Sequence, residues 1–302
     1  MISTLNANNQ QFINNLQRIT GQLNNDMLDI SSGVEMRQVS DNPDQVSELL
    51  QARATLATSQ QISTNLSKVT TEVNTGEQAL QTAVQQFDLV QTLGAQGATG
   101  TQSASSRAAL AQQLQTIEQQ FVGLANTSIG GRYIFAGDQD QTAPYIYDPT
   151  QAYPVSAYQG SASTRVTQDA QGGTFSIALT AQQVFDSSDP TTNVFAAING
   201  LIAGLNNNDQ TAIVAQVNGL ANVAAYLNTQ LAFYGTTQNI LTAATNFAQT
   251  QQTQIQTQIS TLQDTDMTSA ITDMTQTQTQ QQAALAAQGR IPRTTLFDFL
   301  VS

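Results

Sequence analysis

Apolar residues in the first thirty positions recur alternately four and three apart. Leu5, Phe12, Leu16, Ile19, Leu23 and Ile30 lie on this seam, and Asn9 and Asp26 occupy its two remaining positions. That spacing predicts a helix with one narrow apolar stripe. The other faces are almost wholly polar, so such a helix needs a partner. Ser31-Ser32-Gly33 interrupts the pattern, and a second start follows at Asp41-Asn42-Pro43-Asp44-Gln45. Asn42 can accept from the first free N–H groups, Pro43 fits the first helical position, and Asp44 suits the positive helix end.

From Pro43 to about Leu93 the register is kept by Leu66, Val69, Val73, Gly76, Leu80, Ala83, Phe87 and Val90. A helix of that extent is roughly 75 Å long. Gly94, Gly97 and Gly100 predict a turn. A third helix is expected from Ser105 to Thr127, with Leu110, Leu114, Ile117, Phe121 and Leu124 on its seam and Gly130-Gly131 at its end.

The character changes at Arg132. The stretch to Phe185 holds most of the tyrosines, together with Pro144, Pro149 and Pro154. Short alternating segments, Arg132–Phe135 and Thr174–Leu179, are separated by Gly160 and Gly172-Gly173 and read as strands. A short helix carrying Phe195, Ile198, Ile202 and Leu205 leads out. A second long helical run starts near Asp209, with Ile213, Val217, Leu220, Ala224, Leu227 and Leu231 on one seam, and continues through Ile255, Ile259 and Leu262. Its length nearly matches the Pro43–Leu93 run, so the two can lie antiparallel. Asp264-Thr265-Asp266 caps a last helix, Met267 to Gln288, which Gly289 and Pro292 end. The tail is apolar again, with Leu296, Phe297, Phe299, Leu300 and Val301.

The expected fold is therefore mainly α with a small β-rich inserted domain: a long antiparallel helical bundle with paired N- and C-terminal coiled-coil helices. Three parts are expected. Residues 1–40 with 264–302 form a terminal coiled-coil assembly domain, residues 41–131 with 207–263 a long-helix bundle, and residues 132–206 an inserted domain sharing no seam with the helices. Narrow seams of this kind belong to assemblies, where neighbouring subunits cover the remaining apolar surface.

Composition narrows the function. The 302 residues include no Cys, no Trp and no His. That removes thiol nucleophiles, His-based triads, typical zinc sites and disulfides. Net charge is -12, with only 10% of residues charged, which disfavours a phosphate backbone as a partner. Met1 to Asn25 carries one charge, Arg18, and no continuous apolar stretch. No Sec-type signal is read there, and no run approaches the ~20 apolar residues of a membrane span.

No carboxylate spacing supports catalysis, and no cofactor is expected. Asp138-Gln139-Asp140 lacks the further oxygen ligands of a calcium site. Asp264 and Asp266 read as helix caps. Tyr133, Phe135, Tyr145 and Tyr147 read as the core of the inserted domain rather than a carbohydrate platform.

Several segments resemble the bacterial flagellin family. Ile30-Ser31-Ser32-Gly33 is similar to its Leu-Ser-Ser/Thr-Gly signature. Val39-Ser40-Asp41-Asn42-Pro43 resembles the Ser-Asp-Asp-Pro turn of the family's junction members, where filament members more often carry Lys-Asp-Asp-Ala. Leu124–Thr127, then Gly131-Arg132-Tyr133-Ile134-Phe135-Ala136-Gly137, then Thr142-Ala143-Pro144-Tyr145, resemble the family's boundary between helices and β domain. Gln183–Asp186 and Met267–Gln288 match in kind and order.

The resemblance implies a structural subunit that joins hook to filament. It also implies export without a cleaved signal peptide and an extracellular place in the flagellum. The implied partners are other copies of the chain in a ring, a hook-associated protein on the hook side, flagellin on the filament side and a cytoplasmic export chaperone; no nucleic acid or membrane is implied. Ser32, Gly33, Asp41, Pro43, Gly131, Arg132, Tyr133, Phe135, Gly137 and Pro144 carry the family motifs. The assembly contacts are expected at the N-terminal seam, at Ile271, Met274 and Leu285, and at Leu296, Phe297, Phe299 and Leu300. The ending Gln288-Gly289-Arg290-Ile291-Pro292 departs toward a filament subunit, which is the alternative reading.

Overall fold

The protein is described by a computed structural model covering residues 2–37 and 43–289. Asp41 and the apolar tail Leu296, Phe297, Phe299 and Leu300 lie outside the described residues, as do the side chains of Leu5 and Pro43. Seven helices run α1 (Ile2–Ser32), α2 (Pro43–Gly97), α3 (Ala104–Ala125), α4 (Ala181–Phe185), α5 (Val194–Asn206), α6 (Gln210–Gln263) and α7 (Met267–Gly289). Between α3 and α4 lie β1 (Ser128–Ile129), β2 (Arg132–Tyr133), β3 (Val166–Gln168) and β4 (Thr174–Ser176). They form two antiparallel hairpins, with Ser128 opposite Tyr133 and Thr167 opposite Phe175.

Local chemistry sets the ends. Ser103 caps α3 by accepting from the Ser106 N–H, and Asp209 accepts from Thr211 and Ala212 to open α6. Asp266 accepts from Thr268 and Ser269 at the start of α7, as its place in the sequence predicts. Gly130 and Gly131 both have positive φ (56° and 80°), the requirement of a two-residue hairpin turn between β1 and β2.

The chain divides into two compact units. One comprises the chain up to Ala57 and from Gln252 onwards; the other is Thr58–Gln251. The long helices α2 and α6 contribute to both. In the inner unit their antiparallel course is fixed by Gln238 donating to Asn74 (3.0 Å) and Gln91 donating to the Leu220 carbonyl (3.4 Å).

Two sequence expectations change here. Gly94 and Gly97 belong to α2 and form no turn. A Cβ at Gly94 would meet Leu201 Cδ2 at 3.0 Å, and one at Gly97 would overlap Leu205. These glycines let α5 lie close against α2. The divisions expected at 131/132 and 206/207 do not bound a separate domain. Phe135, Tyr145, Phe185 and Phe195 share one continuous apolar core with Phe87 of α2 and Phe121 of α3. Edge-to-face ring pairs run through it: Phe87–Phe121 at 6.3 Å, Phe121–Phe185 at 6.0 Å and Phe135–Phe185 at 6.2 Å. Among the described residues, regular strand is limited to the two hairpins. Ile134 and Phe135, expected in a strand, turn into this core instead, at 4% and 0% exposure.

Candidate assembly surface

In the outer unit α1 and α7 pack on each other along their length. The sheltered positions of α1 are Phe12, Leu16, Ile19, Leu23, Asp26 and Ile30, which is the predicted seam; Ile19 is buried and the rest are half-buried. The opposing stripe of α7 is Ala270, Met274, Thr277, Gln281, Ala284 and Gln288, again alternately four and three apart. Two bonds set the antiparallel register, Gln281 donating to Thr20 Oγ1 and Gln288 to Asn9 Oδ1, both at 3.4 Å.

The seam is thin. α7 brings two alanines, a threonine and two glutamines to it, and one Asp26 oxygen is buried there with no hydrogen-bond partner. Of the three α7 contacts expected from sequence, only Met274 faces α1. Ile271 and Leu285 are 47% and 52% exposed and point away. Ile13, Met27 and Leu28 of α1 are likewise exposed. The apolar residues of α7 are thus spent mostly outside the intramolecular seam.

Where α1 ends and α7 begins, the two breaks are stitched together. Gly33, at φ 70°, turns the chain. Its carbonyl accepts from the Thr265 N–H at 3.0 Å, the Glu35 N–H donates to the Gln263 carbonyl at 2.9 Å, and Val34 bridges Asp264. Ser32 Oγ bonds the Leu28 carbonyl at 2.7 Å. Arg37 pairs with Asp29 at 2.6 Å, and Arg53 of α2 donates to Gln263 Oε1 at 2.7 Å. The Ser32-Gly33 motif and the Asp264–Asp266 cap are two sides of one joint.

The motif residues from Gly131 to Pro144 sit in the inner unit. Glu72 of α2 receives Arg132 at 2.6 Å and Arg165 at 3.1 Å, and Arg132 also reaches Asp140 at 3.6 Å. Phe135 is in the core and Tyr133 is half-buried. Gly137 (φ 64°) leaves no room for a Cβ against the Ser161 and Ser163 carbonyls. Pro144 is buried, and its carbonyl accepts from Gln159 at 2.9 Å. Gly131 serves the β1–β2 turn.

Sequence reasoning missed two buried charged side chains. Arg107 is 4% exposed and Glu118 0% exposed, both on α3. The signal was a second stripe on α3, Ala111, Glu118, Val122 and Ala125, beside the apolar seam. A helix as uniformly apolar as α5 must cover some such face. Among the described residues no cluster of His, Cys, Asp or Glu is placed to hold a metal ion, and no helix is long and apolar enough to cross a membrane.

A helical chain whose two ends pair through a thin seam and leave apolar side chains uncovered is, in class, an assembling structural subunit. It belongs to the bacterial flagellin family. The bacterial flagellin N-terminal helical region matches residues 2–140 and the C-terminal helical region residues 211–300. The chain is 28% identical to flagellar hook-associated protein 3 of Salmonella typhimurium over 280 residues, covering 85% of each chain. It is also 28% identical to flagellar hook-associated protein 3 of Escherichia coli over 231 residues, covering 67% of this chain and 71% of that one. Its fold is similar to the crystal structure of Xanthomonas campestris FlgL, with a TM-score of 0.58 and 18% identity, over 69% of this chain and 99% of that one.

Proposed function

We propose that this protein is the structural subunit that joins the flagellar hook to the filament. The observation that carries the reading is the division of labour on the terminal helices. One face of α1 and α7 makes the thin intramolecular seam, and Ile13, Met27, Leu28, Ile271 and Leu285 remain on other faces. Five exposed large apolar side chains on two paired helices suit burial against neighbouring subunits. The 28% identical relatives are named flagellar hook-associated protein 3, which supports the hook as the place of assembly.

On this reading the partners are copies of the chain, a hook-associated protein on the hook side and flagellin on the filament side, with a cytoplasmic chaperone before export. The extracellular flagellum is its place of work. The role needs no bound cofactor and no catalytic residue. The test is deletion of the gene followed by imaging of the cells and analysis of the medium. Hooks without filaments, with flagellin released into the medium, are expected. Loss of the filament protein itself would make the chain a short flagellin and overturn the proposal.

A further inference from the structure

Glu118 sits in the middle of α3, in the packed interior of the inner unit, with no exposed surface. One oxygen accepts from Asn199 Nδ2 of α5 at 2.5 Å. The other has no hydrogen-bond partner. No cation offsets it. Burial acts first to raise its pKa to about 7, and the Asn199 bond lowers it by a smaller amount. No other ionisable group, from α2, α6 or the inserted segment, shifts it. The titratable group that feels its charge is Tyr147, whose own pKa is raised by burial first and by Glu118 second.

Asn199 has a second role. It lines a cavity of about 260 Å³ together with Phe195, Asp186, Asn193, Ser156 and Tyr153. Tyr153, on the rim, is 74% exposed. Asp186 across the cavity is held by Asn193 at 2.8 Å. Phe195 packs edge-on against Tyr145, with ring centroids 5.2 Å apart. Asn199 therefore touches both the Glu118 carboxyl and a space large enough for several waters.

We propose that Glu118 is a proton-controlled latch between α3 and α5: neutral, it holds α5 and the Tyr145–Tyr158 segment closed, and ionised, it draws water through the Asn199 cavity and loosens them. The physical ground is asymmetric. A neutral carboxyl leaves one polar group to satisfy, whereas a buried carboxylate with one donor must recruit more. The native state holds this proton more tightly than the unfolded chain. The resulting stability is fully present below the ordinary carboxylate range and is lost as pH rises through neutrality. A difference between 4.5 and about 7 corresponds to roughly a 300-fold change in the folding equilibrium.

The experiment uses the full chain and its Glu118→Gln variant, an uncharged isostere. Carbon-13 labelling of the glutamate carboxyls gives the Glu118 midpoint directly in the wild type. It is expected near neutrality. Chemical unfolding and amide exchange of α5 are then measured in both proteins at about pH 5.5 and about pH 8.5, with exchange corrected for its intrinsic rate. Wild type should lose stability and α5 protection at the higher pH relative to Glu118→Gln, by roughly 30-fold, because the unfolded-state carboxyl is already largely ionised at about pH 5.5. A Glu118 midpoint in the ordinary carboxylate range overturns the latch. So does an identical pH response in the two proteins, or a variant that does not fold at about pH 5.5.

Discussion

Arg107 is the side chain on which the closed end of the inner unit depends. Its guanidinium donates to the Gly97 and Thr99 carbonyls, both at 3.1 Å, to Asn208 Oδ1 at 2.7 Å, and to Gln210 Oε1. All four acceptors are uncharged, and they come from the last residue of α2, the first of α6 and the α2–α3 and α5–α6 connections. The planar fork of donors serves two turns at once, which a lysine ammonium cannot reproduce. Arg107→Ala would strand several acceptors in the interior and should cost about 3 kcal/mol or more. Arg107→Lys should recover only a minor part, as read by chemical unfolding.

A paired substitution separates packing from helix propensity. A Cβ at Gly76 would stand 2.5 Å from the Tyr234 ring, which is buried, whereas at Gly123 nothing lies within 4 Å. Gly123→Ala should stabilise by about 0.5–1 kcal/mol through helix propensity alone. Gly76→Ala should instead destabilise by about 1–2 kcal/mol, because overpacking outweighs that gain. Thermal unfolding of the two variants should move in opposite directions. The sequence placed Gly76 on the α2 seam without any indication of what it met. Local pattern reports which face is apolar, and the identity of the covering group comes from residue 234.

At the level of helices, α1 and α7 differ in how they were legible. The α1 seam from Phe12 to Ile30 could be read from spacing because its inward positions are large and apolar. The inward face of α7 could not be, because small and polar residues fill it and its large residues face out. Ile271 and Leu285 attracted attention as apolar, but the partner that covers them is not α1. This asymmetry makes two substitutions distinguishable. Leu16→Asp puts a charge into the intramolecular seam and removes about 1.5–3 kcal/mol of burial from it. Protection of α1 and α7 against amide exchange should fall while Thr58–Gln251 unfolds as before. Leu285→Asp changes an exposed position, so monomer stability should stay within about 0.5 kcal/mol. Attachment of filaments in cells should nevertheless fail with both. Normal swimming with Leu285→Asp would remove that face from the joint.

Across the whole chain, the alternation after Arg132 revealed a change of character and one strand of each hairpin, but not the partner strands β1 and β3 or where the aromatic residues go. Phe135 read as part of the core of a small separate domain. It instead packs edge-on against Phe185, Phe185 against Phe121, and Phe121 against Phe87. Glu72 adds a polar tie from α2 to Arg132 and Arg165. Replacing residues 132–206 with a short Gly/Ser linker would remove α4, α5 and the aromatic centre together. It would expose Phe87, Phe121 and Leu80, each at most 1% exposed in the intact chain. Cooperative thermal unfolding of the remainder should be lost, with helical circular dichroism reduced and an apolar dye bound. A truncated chain that melts sharply near the wild-type temperature would contradict the shared core.

The pairing of α1 with α7 also fixes an order of events on the ribosome. The inner unit is one unbroken stretch, Thr58–Gln251, whereas the outer unit takes its halves from opposite ends of the chain. Translation at about 5–20 residues per second puts roughly 10–50 s between the emergence of α1 and that of α7. Through that interval α1 lacks α7, while by its end every segment of the inner unit has been made. The outer unit therefore closes last in every newly made molecule. Any chain whose synthesis stops between Gln251 and Met267 carries a complete inner-unit sequence and an α1 seam that α7 is not there to cover.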